Sequence, residues 1–157
     1  MPLTAAATPR SCSPPRSGTL YFSSNRPGGL GENDIYRTQR AAGRWTTPEN
    51  LGPGVNSAGR EYGPYIAPDE TYLIFASERP GGLGGADLYI SVRGADGRRS
   101  KPANLGPAVN TVTSEYTPMV SPDGRHLFFT SGTAGSDDLF WIDAGVVRKA
   151  VAAGRGR

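Results

Sequence analysis

The chain has 157 residues, with 22 glycines and 14 prolines. Together these are about twice the usual share, which argues against a helical bundle and for short strands with frequent turns. The formal net charge is +3, but the excess sits in residues 1–16 and 146–157, which carry basic residues and no acid. The segment between them is net acidic, so no basic face for nucleic acid is predicted. No apolar run is long enough to span a membrane. The single cysteine excludes an intrachain disulfide and a thiolate zinc cluster.

Residues 1–16 show no apolar pattern. Ala5-Ala6-Ala7 is too short for a signal-peptide core, and Cys12 has no lipobox-like surroundings. This segment reads as disordered or as the remnant of a first strand.

Internal repetition dominates the rest of the chain. Ser24–Tyr36 (SNRPGGLGENDIY) and Ser77–Tyr89 (SERPGGLGGADLY) share nine of thirteen positions. Asn50–Asn56 (NLGPGVN) and Asn104–Asn110 (NLGPAVN) share six of seven. Glu61-Tyr62-Gly63-Pro64 matches Glu115-Tyr116-Thr117-Pro118, and Pro68-Asp69 matches Pro122-Asp123. A third copy is shorter: Leu127–Ser131 and Asp138-Leu139-Phe140 continue the pattern, but the Arg-Pro-Gly-Gly loop is gone.

One period reads as four antiparallel strands. Glu61–Ala67 is followed by a turn at Pro68-Asp69-Glu70, then by Tyr72–Ser77, which is apolar on both faces and therefore expected between two layers. A glycine-rich loop, Arg79–Gly85, leads into Asp87–Arg93. Arg98–Leu105 is the fourth strand, placed at an edge because it contains Pro102. The predicted core is Phe22, Leu73, Phe75, Leu88, Leu127, Phe129 and Phe140. Four-stranded units repeated at this period predict an all-β fold of propeller blades.

The Ser-Pro-Asp-Gly turn, the Ser-x-Arg-Pro-Gly-Gly-x-Gly loop, the Asp-Leu-Tyr strand and the Asn-Leu-Gly-Pro-x-Val-Asn segment resemble the WD40-like PD40 β-propeller repeats, related to the TolB propeller. The resemblance spans about residues 13–143. It implies an incomplete propeller of about three blades (17–56, 57–110 and 111–143). The basic tail, 144–157, holds a short apolar-basic stretch, Ala144–Ala153, expected to form one or two helical turns and to cover no blade. The resemblance also implies a C-terminal fragment of a longer exported protein, located in the periplasm or cell envelope.

Each candidate for chemistry has a plainer structural role. His126 is the sole histidine and lies between strand apolar residues. Asp34, Asp87 and Asp138 recur at one position in all three copies, so they are expected to accept hydrogen bonds from loop N–H groups or from Arg26 and Arg79 of the same hairpins. Arg26 is expected near Asp34, and Arg79 near Asp87. Asp69 and Asp123 are turn residues. The glycine loop lacks the Gly-Lys-Ser/Thr of a phosphate cradle, and no Gly-x-Ser-x-Gly elbow occurs. No catalytic residue, metal ligand or cofactor is predicted.

Glu61, Tyr62, Glu115 and Tyr116 open the strands expected to line a propeller channel, and are the candidate ligand contacts. The functional expectation is a non-catalytic module binding a protein, a peptide or a cell-wall component. Further blades or a second copy would complete it. The alternative is part of a propeller-type enzyme, a glycan hydrolase or lyase, or the propeller partner of a peptidase.

Overall fold

The computed structural model describes residues 18–133 and 135–155. The expectations for residues 1–16 lie outside them. The chain forms β1 (Thr19–Ser24), β2 (Asp34–Ala41), β3 (Arg44–Trp45), β4 (Glu49–Asn50), β5 (Glu61–Ile66), β6 (Tyr72–Ser77), β7 (Asp87–Val92), β8 (Ala103–Asn104), β9 (Ser114–Val120), β10 (His126–Thr133), β11 (Ser136–Asp143) and α1 (Gly145–Arg155). They make three antiparallel sheets, one per sequence copy. The middle sheet is complete, in the order β5-β6-β7-β8. The first has β1 beside β2, with β3 and β4 both on β2; the third has β9-β10-β11. The architecture is that of an incomplete propeller.

The repeats coincide in register. Ser24 faces Asp34, Ser77 faces Asp87, and Ser131 faces Asp138 across their hairpins. Because β6 alternates apolar residues on both faces, it seals two cores. Leu73 and Phe75 join Tyr21, Ile35, Val55, Ile66 and Tyr89 between the first two blades. Ile74 and Ala76 join a second core with Leu88, Ile90, Val120, Leu127 and Phe129, between the second and third. Each fully buried Leu, Ile or Phe contributes about 1.5–3 kcal/mol, so these two seams hold the blades together.

Three expectations need correction. The fourth strand does not run continuously over Arg98–Leu105. It pairs as a bridge between Arg93 and Arg99 and again at Ala103–Asn104. Pro102 has no N–H to offer between them. The Ser100 N–H bonds Val92 O at 2.7 Å, and its hydroxyl accepts from Val92 N at 3.0 Å. The first blade splits its fourth strand likewise into β3 and β4, with Pro48 between them.

Phe140 is 47% exposed, not buried. Its ring stacks on Phe129, as Tyr36 stacks on Phe22 and Tyr89 on Phe75. In those two pairs a guanidinium covers the rings: Arg26 over Phe22 and Tyr36, Arg79 over Phe75 and Tyr89. The third copy has lost that arginine, so its outer ring meets solvent.

The C-terminal segment forms an 11-residue helix, longer than the one or two turns expected. Asp143 starts it by accepting the Gly145 N–H at 2.6 Å and the Arg148 guanidinium at 2.9 Å. The helix packs back on β7 of the middle blade, with Ala144 and Val147 buried in the second core. Gly154 sits so close to Val92 that a Cβ there would lie 2.7 Å from its Cγ2. A cleft of about 330 Å³ opens between this helix and the edge of the middle blade. The outer face of the third blade is left bare: Met119, Leu139 and Trp141 are exposed.

Candidate functional site

The repeated polar residues form two kinds of closed network. Asp87 accepts from the Leu83 N–H at 2.6 Å, the Gly84 N–H at 3.0 Å and Asn104 Nδ2 at 2.7 Å. Asp34 accepts from Leu30, Gly31 and Asn50 in the same way. The loop glycines are required by this closeness: a Cβ at Gly82 would meet the Asp87 carboxylate. Asn104 also accepts from Gly106 N and Asn110 Nδ2, and Asn110 bonds both the N–H and the C=O of Leu88. Asn50 and Asn56 repeat this around Ile35. The Asn-Leu-Gly-Pro-x-Val-Asn segment is thus a clamp between a blade's fourth and third strands. The four asparagines were visible as recurrent positions, but their role needed the fold. Asp138 keeps its register position across from Ser131 yet is exposed on β11.

The arginines do not close onto these aspartates. Arg79 Nε donates to Ser77 Oγ at 2.8 Å, and its terminal nitrogen donates to Val55 O at 2.6 Å and lies 3.4 Å from Glu61 Oε1. Arg26 Nε donates to Ser24 Oγ at 3.1 Å. Backbone N–H groups at the turn already fill each aspartate, and Arg79 reaches instead to Val55 and Glu61 of the segment that enters its blade.

Glu61 and Glu115 are fully buried. Glu61 accepts from the Ser57 N–H at 2.8 Å and from the hydroxyls of Ser57 and Ser77 at 2.5 and 2.6 Å. Glu115 accepts from the Thr111 N–H at 2.9 Å, and from the hydroxyls of Thr111, Thr113 and Ser131. These carboxylates tie the entry loop of a blade to its second strand. Their oxygens are occupied inside the protein.

The adjoining tyrosines are placed differently. Tyr62 and Tyr116 are each partly exposed, and their rings approach to 6.5 Å across the boundary between β5 and β9. Arg60 lies over the Tyr62 ring at 5.5 Å and pairs with Glu78 at 3.4 Å. Burial, reinforced by the Glu78 charge, raises the Tyr62 phenol pKa. The Tyr116 phenol is pushed up to about 12, first because it hydrogen-bonds the Asp137 carboxylate. Both phenols therefore stay protonated at neutral pH. The strands are brought together here by a bulge in each, at Gly63-Pro64 and Thr117-Pro118. Gly63 and Thr117 both adopt the left-handed conformation, with φ of 59° and 50°, and a Cβ at Gly63 would lie 3.4 Å from Thr117 N.

His126 packs against Phe128 and Trp141, with its ring edge-on to the indole at 5.0 Å. It behaves as a ring in an aromatic cluster. Among the described residues, no group of three or more His, Cys, Asp or Glu is gathered to hold a metal ion.

Among solved structures, the chain is similar to a protein assigned as TolB from Agrobacterium tumefaciens, with a TM-score of 0.62 and 20% identity over 90% of this chain. The fold is a TolB-like β-propeller, present in part. TolB from Acinetobacter baumannii aligns with a TM-score of 0.60 and 19% identity over 91% of this chain. A puromycin-hydrolyzing peptidase from Mycobacterium tuberculosis aligns at 0.58 and 18%, over 92%. The chain spans 47%, 31% and 22% of these three proteins, respectively. No family model matches the sequence, and no curated protein matches it.

Proposed function

We propose that the chain is a non-catalytic interaction module, built of TolB-like propeller blades, that binds a protein, a peptide or a cell-wall component in the periplasm or cell envelope. The observation that carries this reading is the Tyr62–Tyr116 pair, flanked by Arg60, Glu78 and Asp137. Partly exposed tyrosines beside charges of both signs are the side chains that recognition surfaces use most, because they give large contact area for little conformational entropy. The nearby carboxylates that would serve an acid–base mechanism are instead saturated by their own blades, as Glu61 and Glu115 show.

The likeness to a peptidase supports a second reading, in which these blades accompany a catalytic domain carried elsewhere. The two readings are separated by selecting peptides from a displayed library against the folded chain. The module reading expects binders that lose roughly tenfold or more in affinity on a Tyr62→Ala, Tyr116→Ala double variant, and that are recovered uncleaved. Binders indifferent to both tyrosines, or cleaved by the chain itself, would contradict it.

A further inference from the structure

The cleft between α1 and the edge of the middle blade combines methyl-lined walls with cations at its mouth. It is open because the residues that meet there are small. Ala150 and Ala153 of α1 line it together with Ala103 of β8, over a floor of Ile90 and Val92. Gly154 lets the helix end lie against Val92, and the space left beside it is about 330 Å³, at the lower end of the range for small-ligand sites. The hydroxyl of Ser100, which also lines the cleft, is already engaged. It accepts from the Val92 N–H at 3.0 Å and donates to the Lys101 carbonyl at 3.2 Å. The mouth carries Arg98, Arg99 and Lys101 against a single acid, Asp96. Arg99 is held by its stack on Tyr21 at 5.5 Å and by bonds to the Tyr21 phenol at 3.3 Å and the Ser91 carbonyl at 3.5 Å. Among the described residues, the one carboxylate that approaches any of these cations is Asp96, 4.0 Å from Arg98 with both side chains largely in solvent. The segments outside the described residues contain no acidic side chain.

We propose that this cleft binds a single-chain anionic amphiphile, a linear alkyl carboxylate, with its tail along Ala103, Ala150 and Ala153 and its head at Arg99 and Lys101. The walls select the tail. A sugar or a peptide would bring hydroxyls or amides into a space whose uncharged side chains have nothing free to pair with them, and a buried polar group left unpaired is costly. An alkyl chain brings none and gains by leaving water. The excess of cations at the mouth selects the sign of the head. The head belongs on the blade side, because the other side of the cleft is the carbonyl end of α1, which disfavours an anion. The site shares no residue with the Tyr62–Tyr116 pair and does not rest on its role.

The test is calorimetric titration of the full chain with sodium decanoate, kept below the concentration at which it forms micelles. Saturable binding is expected. Butyrate, which lacks the tail, should bind weaker by roughly a hundredfold or more, and decyltrimethylammonium, with the same tail and the opposite charge, should not bind saturably. Lys101→Gln with Arg99→Gln should weaken decanoate roughly tenfold. Ala153→Leu fills the cleft from an exposed helix position that accepts leucine without loss of fold, and should abolish binding. Leu139→Ser with Trp141→Ser, which alters the bare face of the third blade, should leave it unchanged. No saturable binding of decanoate, equal affinity for the two charges, or undiminished binding by Ala153→Leu would overturn the proposal. Loss of binding in the Leu139→Ser, Trp141→Ser variant would place the ligand on that other face and overturn it too. Two further arms test other occupants. Tighter binding of the tripeptide Ala-Ala-Leu than of decanoate would make a polypeptide end the occupant. A marked gain in decanoate affinity on removing residues 156–157 would make it the chain's own end.

Discussion

The Ser77 hydroxyl donates to the Glu61 carboxylate across 2.6 Å in the blade interior, and Ser131 does the same to Glu115 across 2.7 Å. Each glutamate gathers donors from the loop ahead of it and from the next strand, so one carboxylate fixes the entry to a blade. Glu61→Ala strands the Ser57 N–H and two hydroxyls, and is expected to cost about 3 kcal/mol. Glu61→Gln keeps an acceptor and should cost nearer 1 kcal/mol. Urea melts of the two variants check both values; equal losses would show that the carboxylate is not the organising group.

Phe75 has no exposed surface and lies in the core shared by the first two blades. Its ring also carries the Arg79 guanidinium. Phe75→Ala should lower stability by about 3–5 kcal/mol in denaturant melts. A loss under about 1 kcal/mol would place this strand in a different register.

Thr117 holds a φ of 50°, where its counterpart is Gly63. A β-branched residue is strained there, whereas glycine is not. Thr117→Gly should therefore raise stability by up to about 1 kcal/mol, after losing the exposed hydrogen bond to Thr130. Gly63→Ala should lower it. Opposite signs in thermal melts are the expected result.

The blade pattern was legible because the residues that build it recur: Ser24 and Ser77, Asp34 and Asp87, and the paired Asn-Leu-Gly-Pro segments each occupy equivalent places. The apolar alternation of Leu73, Ile74 and Phe75 correctly placed β6 between two layers. What the sequence hid was partner choice. Arg79 and Asp87 flank one short loop, and proximity alone suggests that they pair. Only the fold shows that Leu83 and Gly84 reach the aspartate first, and that Val55 and Glu61 arrive beside Arg79 from the preceding segment. The exposure of Phe140 depended on the same unseen fact, since it comes from losing a guanidinium lid. The candidate ligand contacts divide for a related reason: alternation along β5 and β9 turns the glutamates inward and the tyrosines outward.

The Tyr116 phenol is raised from 10.0 to about 12 by its hydrogen bond to Asp137, by desolvation and by the charge beside it. A folded-state pKa above the unfolded value means the contact stabilises the fold below about pH 10, and that this is lost as pH rises from about 10 to 12. Tyrosinate absorbance should show several late-ionising phenols, one fewer in Tyr116→Phe. In Asp137→Asn, the Tyr116 phenol should move back toward 10.0. An unchanged titration in Asp137→Asn would contradict the assignment.

These sheets are part of a propeller whose third blade presents an uncovered inter-blade face. Phe128 occupies the place of Ile74, which the third blade itself buries; here Met119 and Trp141 flank it across the sheet, and Trp141 is 62% exposed. An open face of this kind is decided by light scattering of the chain at micromolar concentration, with an apolar dye present. Association or strong dye binding is expected, reduced by Leu139→Ser with Trp141→Ser. A monomer that melts cooperatively and binds no dye would contradict the open propeller.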